Sequence, residues 1–335
     1  MSDQLFSPDS RPLLHMRVDD LDMGLVQRHI TTGQERGRYH GPLDPVAFLR
    51  EQRCVQNVDG ILVPTLAGAL MFCRDSESGL HGTTGVDLAQ FPTTELRSTT
   101  MMFIEQIRGS LPTVIERTVE LLWARSDHDY RVMEAQRVEE HAYPRIVLRE
   151  LTVNALCHRD WTFQGSRVRI QMFPQAIEWI SPGSLPEGIT IENILSTQNS
   201  RNPVLTTLLF QSGYIEGFGL GMDTIYAALR DANGEPPQLT NTEQFFTVRV
   251  SALPLHFTRE FTETPAESRK ITICRYLRQR GPLSAVELAR VTSSSRRTVL
   301  RDLEDLEQQG RVSSIGQTRN RRYVLADSDD SRHET

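Results

Sequence analysis

Lysine is nearly absent from this 335-residue chain: Lys270 is the one lysine among 37 basic residues, and the rest are arginine. That balance reads as GC-rich bacterial coding, and it excludes a large class of activities. A Walker-type phosphate loop needs a lysine after glycine, followed by Ser or Thr, to reach the terminal phosphates. Lys270 stands in ESRKIT with no glycine beside it, so the chain is neither a P-loop helicase nor a P-loop ATPase. Cysteine is sparse as well. Cys54, Cys73, Cys157 and Cys274 are too scattered for a disulfide framework or a zinc site, and they point to a reducing compartment. No run approaches the roughly 20 uncharged apolar residues of a membrane helix. The opening MSDQLFSPDSRPLLHMRVDD lacks the charged start and apolar core of a secretory signal. A cytoplasmic protein with no membrane partner is expected.

The apolar share of 38%, with 24% charged residues, is enough for two or three packed domains. The net charge of −6 hides an asymmetry: residues 266–326 carry 13 Arg or Lys against 6 Asp or Glu, so a +7 module is joined to a body of −13. A small basic module on an acidic body implies that only the module meets a polyanion.

The pattern along the chain predicts an α+β protein. Residues 1–17 are polar and proline-bearing and are expected to be disordered, followed by an α/β connecting region of unreadable role over 18–140. Within it, helical spacing marks 18–30 and 43–52, and ILVPTLAGALMF (61–72) reads as a strand running into a helix. GVDLAQF (85–91) reads as a strand, and 100–124 as one long helix kinked or broken at Gly109 and Pro112. A central domain over 141–254 opens with a helix, RIVLRELTVNALCHRD. A hairpin follows at 167–181, then helical stretches near 189–196, 203–212 and 220–231, and a strand at 244–253. A linker covers 255–265, and a tail covers 327–335.

The basic module, 266–326, has the order of a winged helix-turn-helix. The first helix sets Ile271, Cys274, Tyr276 and Leu277 on its apolar side and ends at Gly281-Pro282. Ser284 caps the second helix. The third sets Val299, Leu300, Leu303 and Leu306 inward, and two strands then flank a basic turn. In such a fold the start of the third helix enters the major groove. Here that start presents Ser294, Ser295, Arg296, Arg297, Thr298 and Arg301, suited to base edges and phosphates. The wing arginines Arg319, Arg321 and Arg322 are expected on the backbone or minor groove of double-stranded DNA. Winged helices also serve as protein-docking modules, and that alternative stands beside the first.

In the central domain Glu150, Asn154 and His158 recur every four residues and share a helix face. One reading is a solvated face. The other is a carboxylate that orients water, with an amide oxygen nearby that ligates Mg²⁺. Two glycine-bearing turns follow: Ser181-Pro182-Gly183 after a strand, and Gly217-Phe218-Gly219-Leu220-Gly221 leading into a helix. Glycines ahead of a helix N-terminus let backbone N–H groups approach phosphate.

RELTVNALCHRDW, WISPGSLPEG, SRNPVL and IEGFGLGMDTI together resemble the RecG-like C-terminal ATP-binding domain. That domain belongs to the superfamily of gyrase, heat-shock chaperone, histidine kinase and MutL ATPases. It recurs in Schlafen/AlbA-type bacterial transcriptional regulators, often before a winged helix. The resemblance covers about 145–252, and the AlbA-like domain that usually opens such chains is expected to be missing. It implies a helix and antiparallel-sheet sandwich, a homodimer, and ATP with Mg²⁺ as cofactors. Carried over by position, Glu150 is the general base, Asn154 the Mg²⁺ ligand, and Gly183 lies beside the adenine. Gly217, Gly219 and Gly221 lie beside the phosphates, and His158, Arg159 and Asp160 match an HRD-like signature. A structural reading of that signature, as a tie at the end of a helix, stands beside it. Arg201 and Asn202 match the SRNP stretch. The chain departs from the superfamily at Ser181, where an aspartate reads the adenine amino group.

Three functions remain open at this stage: a DNA-binding regulator biased by nucleotide, a DNA-stimulated ATPase, and a nucleotide-fold scaffold that docks proteins. Any hydrolysis is expected to be slow and switch-like.

Overall fold

The computed structural model describes residues 7–74, 80, 84–93, 102–133, 136–163, 165–197, 199–216, 221–254, 265–292, 294–316 and 321–326. Helices in the N-terminal layer begin where a polar side chain can satisfy the first backbone N–H groups. Asp22 accepts from Gly24 and Leu25 at the head of α1 (Met23–Glu35). Asp44 accepts from Ala47 at the head of α2 (Pro45–Glu51), with Pro45 at the first helical position. The hairpin of β1 (Val55–Val58) and β2 (Ile61–Pro64) runs into α3 (Leu66–Phe72), the strand-to-helix order expected of 61–72, and Thr65 caps the helix. The chain ahead of α1 is not disordered from Ser7 onward. Asp9 (0% exposed) and Met16 (2%) are buried, and Pro12 bridges to Thr65.

The helix expected over 100–124 is instead two elements. After β3 (Val86–Gln90), residues Phe103–Ile107 form β4, and α4 starts only at Leu111 and runs to Arg125. Within FIEQI, Ile104 and Gln106 are exposed while Ile107 is buried, the period-two alternation of a half-buried strand. Gly109 turns the chain at φ +133°, and Pro112 lies in the first turn of α4, where a missing N–H costs nothing.

The hairpin β5 (His128–Met133) and β6 (Gln136–His141) leads to α5 (Arg145–Cys157), β7 (Val168–Phe173) and β8 (Ala176–Pro182). Then come α6 (Pro203–Gln211), α7 (Gly221–Asp231), β9 (Gln238–Asn241) and β10 (Phe245–Ser251). Among the described residues a six-stranded sheet runs in the order β4-β3-β7-β8-β10-β9. The pair β3 and β7 is parallel, with Leu88 opposite Ile170, and the other pairs are antiparallel. The region 18–140 is therefore no separate domain: β3 and β4 complete the sheet of the central domain, and residues 1–257 form one unit. The helix expected at 189–196 is a series of turns. There the Asn193 side chain accepts from Thr190 N and donates to Gly188 O, a local alternative to the helical ladder.

The second unit, residues 258–335, holds α8 (Pro265–Arg280), α9 (Ala285–Val291), α10 (Arg296–Gln308) and the pair β11 (Val312–Ile315) and β12 (Arg322–Leu325). Ser284 and Glu287 form a reciprocal capping box at α9. Its core is Ile273, Cys274, Tyr276, Leu277, Leu288, Val299, Leu303 and Leu306. Ile271 and Leu300, expected inside, are half-buried at its margin. Across the core, Arg269 on α8 donates through Nε and Nη2 to Asp302 on α10, at 2.6 and 3.2 Å. The single lysine, Lys270, pairs with Asp305 one turn further on. Of the linker expected at 255–265, residues 255–264 lie outside the described residues and Pro265 already opens α8, and the tail from 327 also lies outside them.

Asp302 is 2% exposed, so removing it strands a half-buried guanidinium. Asp302→Ala is expected to destabilise the C-terminal unit by about 2–3 kcal/mol, below the cost of breaking a fully buried pair because Arg269 keeps some solvent. A drop in denaturant midpoint for that unit's transition checks it.

Candidate functional site

α5 carries both the core and the site. Val147, Leu148, Leu151 and Leu156 are buried against the sheet and α4. Its rotation is fixed by Trp179 on β8, whose Nε1 donates to Thr152 Oγ1 at 3.2 Å while that hydroxyl donates to Leu148 O at 2.7 Å. With that face turned inward, the four-residue spacing brings Glu150, Asn154 and His158 to one cavity of about 550 Å³. Ser181, Gly183 and Gly221 line the same cavity, as do Trp179, Thr206, Phe210, Met222 and Phe246. Gly217 and Gly219 lie outside the described residues.

Glu150 and Asn154 face the N-terminus of α7. A Cβ placed on Gly221 would sit 3.2 Å from Asn154 Nδ2, 3.3 Å from its Oδ1 and 3.4 Å from Glu150 Oε2. Glu150 is 2% exposed, and its Oε1 is buried with no hydrogen-bond partner. Burial pushes its carboxyl up to about 6, with Arg149 opposing the shift and Glu216 adding to it. The imidazole of His158 is pushed down to about 4, first by burial and then by Arg201, so it is neutral at physiological pH.

The second wall is a turn held from behind. Gly183 has φ +102°, and a Cβ there would meet Arg201 Nη1 and Asp160 Cβ, both at 2.5 Å. Asp160 N donates to Pro182 O at 2.8 Å, and Gly183 N to Gln244 O at 2.7 Å. Arg201 bonds Ser184 O at 2.9 Å and lies 3.5 Å from Asp160. Ser181 Oγ donates to Ala155 O at 2.7 Å, so its proton is spent inside the protein and its lone pairs are what it offers a ligand. Arg159 is also buried. It donates to Phe163 O and Ser166 O and packs on Trp161, and burial lowers it to about 10. The Arg-Asp part of the HRD signature is thus a tie at the end of α5, as its structural reading expected.

Asn202, buried at 0% exposure, donates from Nδ2 to Cys157 O and Arg159 O, each at 2.8 Å. It closes the last turn of α5, a role the SRNP stretch did not disclose. Thr206, Phe210, Met222 and Phe246 were not foreseen either. They reach the cavity from three separate elements, and no spacing within one segment signals that.

A triphosphate with Mg²⁺ fits the donor set. The Asn154 side chain makes no hydrogen bond among the described residues, the Glu150 Oε1 is an orphaned acceptor, and the absent Cβ of Gly221 leaves room between them and the N–H end of α7.

In the C-terminal unit, Ser295 caps α10 by accepting from Thr298 N at 3.1 Å, and Ser294 Oγ donates to Thr292 O at 3.0 Å. Those hydroxyls, expected on phosphates, already serve the turn. Arg296, Arg297 and Arg301 are exposed on α10 and pair with no carboxylate among the described residues. The described wing arginines are partly engaged: Arg321 pairs with Glu307, and Arg322 donates to Pro282 O. Arg319 lies outside the described residues.

Residues 165–250 match the family model described as "Putative ATP-dependent DNA helicase recG C-terminal", and residues 269–321 match a model of an HTH domain. The chain thus holds a segment similar to the RecG C-terminal domain, followed by one similar to an HTH domain. The crystal structure of the DIP2311 protein from Corynebacterium diphtheriae is similar over 96% of this chain, with a TM-score of 0.60 and 19% identity. This chain spans 64% of that protein's length, and the likeness shows the fold alone. No curated protein matches the chain. The match to the RecG-like ATPase domain opens at 165, after α5, so Glu150 and Asn154 join this domain through geometry and not through the matched span.

The strain of burying Glu150 is measurable. Its folded pKa of about 6 exceeds the ordinary 4.5, so the folded state is penalised as pH rises from 4.5, fully so above about 6. That amounts to about 2 kcal/mol at pH 7.5. Glu150→Gln is expected to be more stable than wild type at pH 7.5 by about 1–2 kcal/mol, with the advantage gone at pH 4.5. Urea unfolding of the first unit at both pH values checks it.

Proposed function

We propose that this chain is a DNA-binding transcriptional regulator whose central domain binds ATP with Mg²⁺ and whose nucleotide state biases the winged helix. The observation that carries this reading is the buried carboxylate of Glu150, left with an unpartnered oxygen beside Asn154 at the start of α7. A group held at that cost, in a cavity with perturbed neighbours, marks a functional site.

In this reading Asn154 Oδ1 would hold the Mg²⁺, and the N–H end of α7 with Gly221 would receive the phosphates. Ser181, an acceptor only, would meet an exocyclic amino group, and Gly183 would admit the base against the turn. His158 lines the base end as a neutral donor and acceptor. ATP with its metal supplies a phosphoanhydride whose cleavage needs an oriented water, and Glu150, poised near neutrality, is the group to hold that proton. Turnover is slow and switch-like. The DNA-facing surface is α10, through Arg296, Arg297 and Arg301 with Thr298, together with Arg321 and Arg322 of the wing. A homodimer would present two such helices to paired half-sites.

Calorimetry tests the nucleotide half. Asn154→Ala is expected to weaken Mg·ATP by about tenfold or more, as loss of a metal ligand does. Glu150→Gln is expected to keep binding and lose hydrolysis by about 10²-fold or more. Unchanged affinity in Asn154→Ala removes the metal assignment.

Salt titration of duplex binding tests the DNA half. For Arg296→Ala with Arg297→Ala, the slope of log affinity against log salt is expected to shallow by about 0.9 for each phosphate no longer neutralised. A slope equal to that of wild type excludes those arginines from the interface. Steep stimulation of turnover by DNA would favour a nucleic-acid-dependent ATPase.

A further inference from the structure

The N-terminal layer reaches α6 at both ends. At the head, the natural cap residue Asn202 has its side chain committed to the end of α5. Asp9 takes its place across 196 residues of sequence: its Oδ2 accepts from Leu205 N at 2.9 Å in a fully buried setting. At the tail, Gln211 Nε2 donates to Gln52 Oε1 at 2.9 Å, which leaves Gln211 Oε1 to accept from His29 Nε2 at 3.0 Å. His29 Nδ1 lies 2.8 Å from Ser212 Oγ, whose hydroxyl also reaches Leu208 O at 3.0 Å. His29 is 6% exposed, and burial pushes its imidazole below the ordinary value, with the Gln211 hydrogen bond opposing the shift.

The third point lies just past α6. Arg38 Nη1 donates to Phe210 O at 3.2 Å and Ile215 O at 2.8 Å, closing the turn between them, and Nη2 meets Glu216 at 2.9 Å. The same guanidinium stacks on the Phe210 ring at 4.8 Å. Phe210 and Ile215 line the cavity, and Glu216 acts electrostatically on Glu150.

We propose that Asp9, His29 and Arg38 form a three-point clamp on α6 and its following turn, and that Arg38 is a positioning residue for the acidic end of the nucleotide cavity. The inference rests on the nucleotide reading above and deepens it, giving the N-terminal layer a role in that site. Arg38 touches no reacting group; it sets where Phe210, Ile215 and Glu216 stand. The guanidinium sets its donors on separate nitrogens in a fixed plane, so it meets acceptors on both sides that one ammonium nitrogen is less well placed to span.

The test compares full-length wild type, Arg38→Met, Arg38→Lys and a core control, Ile115→Val on α4. Readouts are calorimetric binding of a non-hydrolysable Mg·ATP analogue, melting temperature, and amide hydrogen exchange over 205–216. Arg38→Met is expected to weaken the analogue about tenfold, as removing a group that supports a binding site does. Arg38→Lys should fall between it and wild type, and the core control should change binding less than twofold even where its melting temperature drops as far. Amides at 211–216 should lose protection in Arg38→Met. Analogue binding within twofold of wild type in Arg38→Met overturns the positioning role and leaves the nucleotide reading standing. Should wild type bind no analogue, the nucleotide reading fails. The clamp is then judged by exchange alone, and unchanged protection at 211–216 overturns it.

Discussion

α5 has to pack one face on a sheet while holding another against a cavity, and the rest of the first unit follows from how that conflict is met. The hydrogen bond from Trp179 to Thr152 fixes the rotation of the helix. Once it is fixed, helical spacing alone aims Glu150, Asn154 and His158 at the same void. The end of α5 must then be closed, and Asn202 closes it by donating to two carbonyls. That commitment deprives α6 of its own cap, and Asp9 supplies one from the far end of the chain. A residue in the first ten thus depends on a helix rotation set in the middle of the sequence.

Two buried charged groups on this helix and just after it differ in how far their desolvation is answered. Arg159 is as buried as Glu150, and its guanidinium meets two carbonyls and an aromatic face. Those contacts answer part of its desolvation, and burial still lowers it to about 10. Glu150 keeps an oxygen with no partner and a carboxyl pushed up to about 6. The same contrast sorts the basic residues of the winged helix. Arg269 and Lys270 are spent on Asp302 and Asp305, which lock α8 to α10. Arg296, Arg297 and Arg301 stand exposed on the locked helix, with no carboxylate partner among the described residues.

Much of this was legible where local chemistry decides the outcome. Thr65, Asp22 and Ser284 announce helices through their caps, and the winged helix follows in order from its apolar spacing and turns. The acid-and-amide face of α5 could be read from four-residue spacing. Segment 100–124 misled because FIEQI alternates over only five residues beside a strong helix former. Segment 189–196 misled because the Asn193 side chain outcompetes the helical ladder, a competition that periodicity does not measure. The sheet partners of β3 and the clamp on α6 were invisible for a different reason. The pairing of β3 with β7 and the Asp9 cap are made by contacts across more than 75 residues, and no window along the sequence contains both halves.

The scarcity of lysine returns at the cavity with a consequence for metal dependence. Among the described lining residues there is no lysine or arginine, and His158 is neutral. A triphosphate brings several negative charges, and Glu150 adds another whenever it is ionised. Backbone N–H groups at a helix start are worth about half a charge in total, far too little to balance them. On the proposed nucleotide reading the balance would have to come with the ligand, as a divalent cation that the Asn154 amide oxygen could hold. Free nucleotide would then be a far poorer ligand than its Mg²⁺ complex.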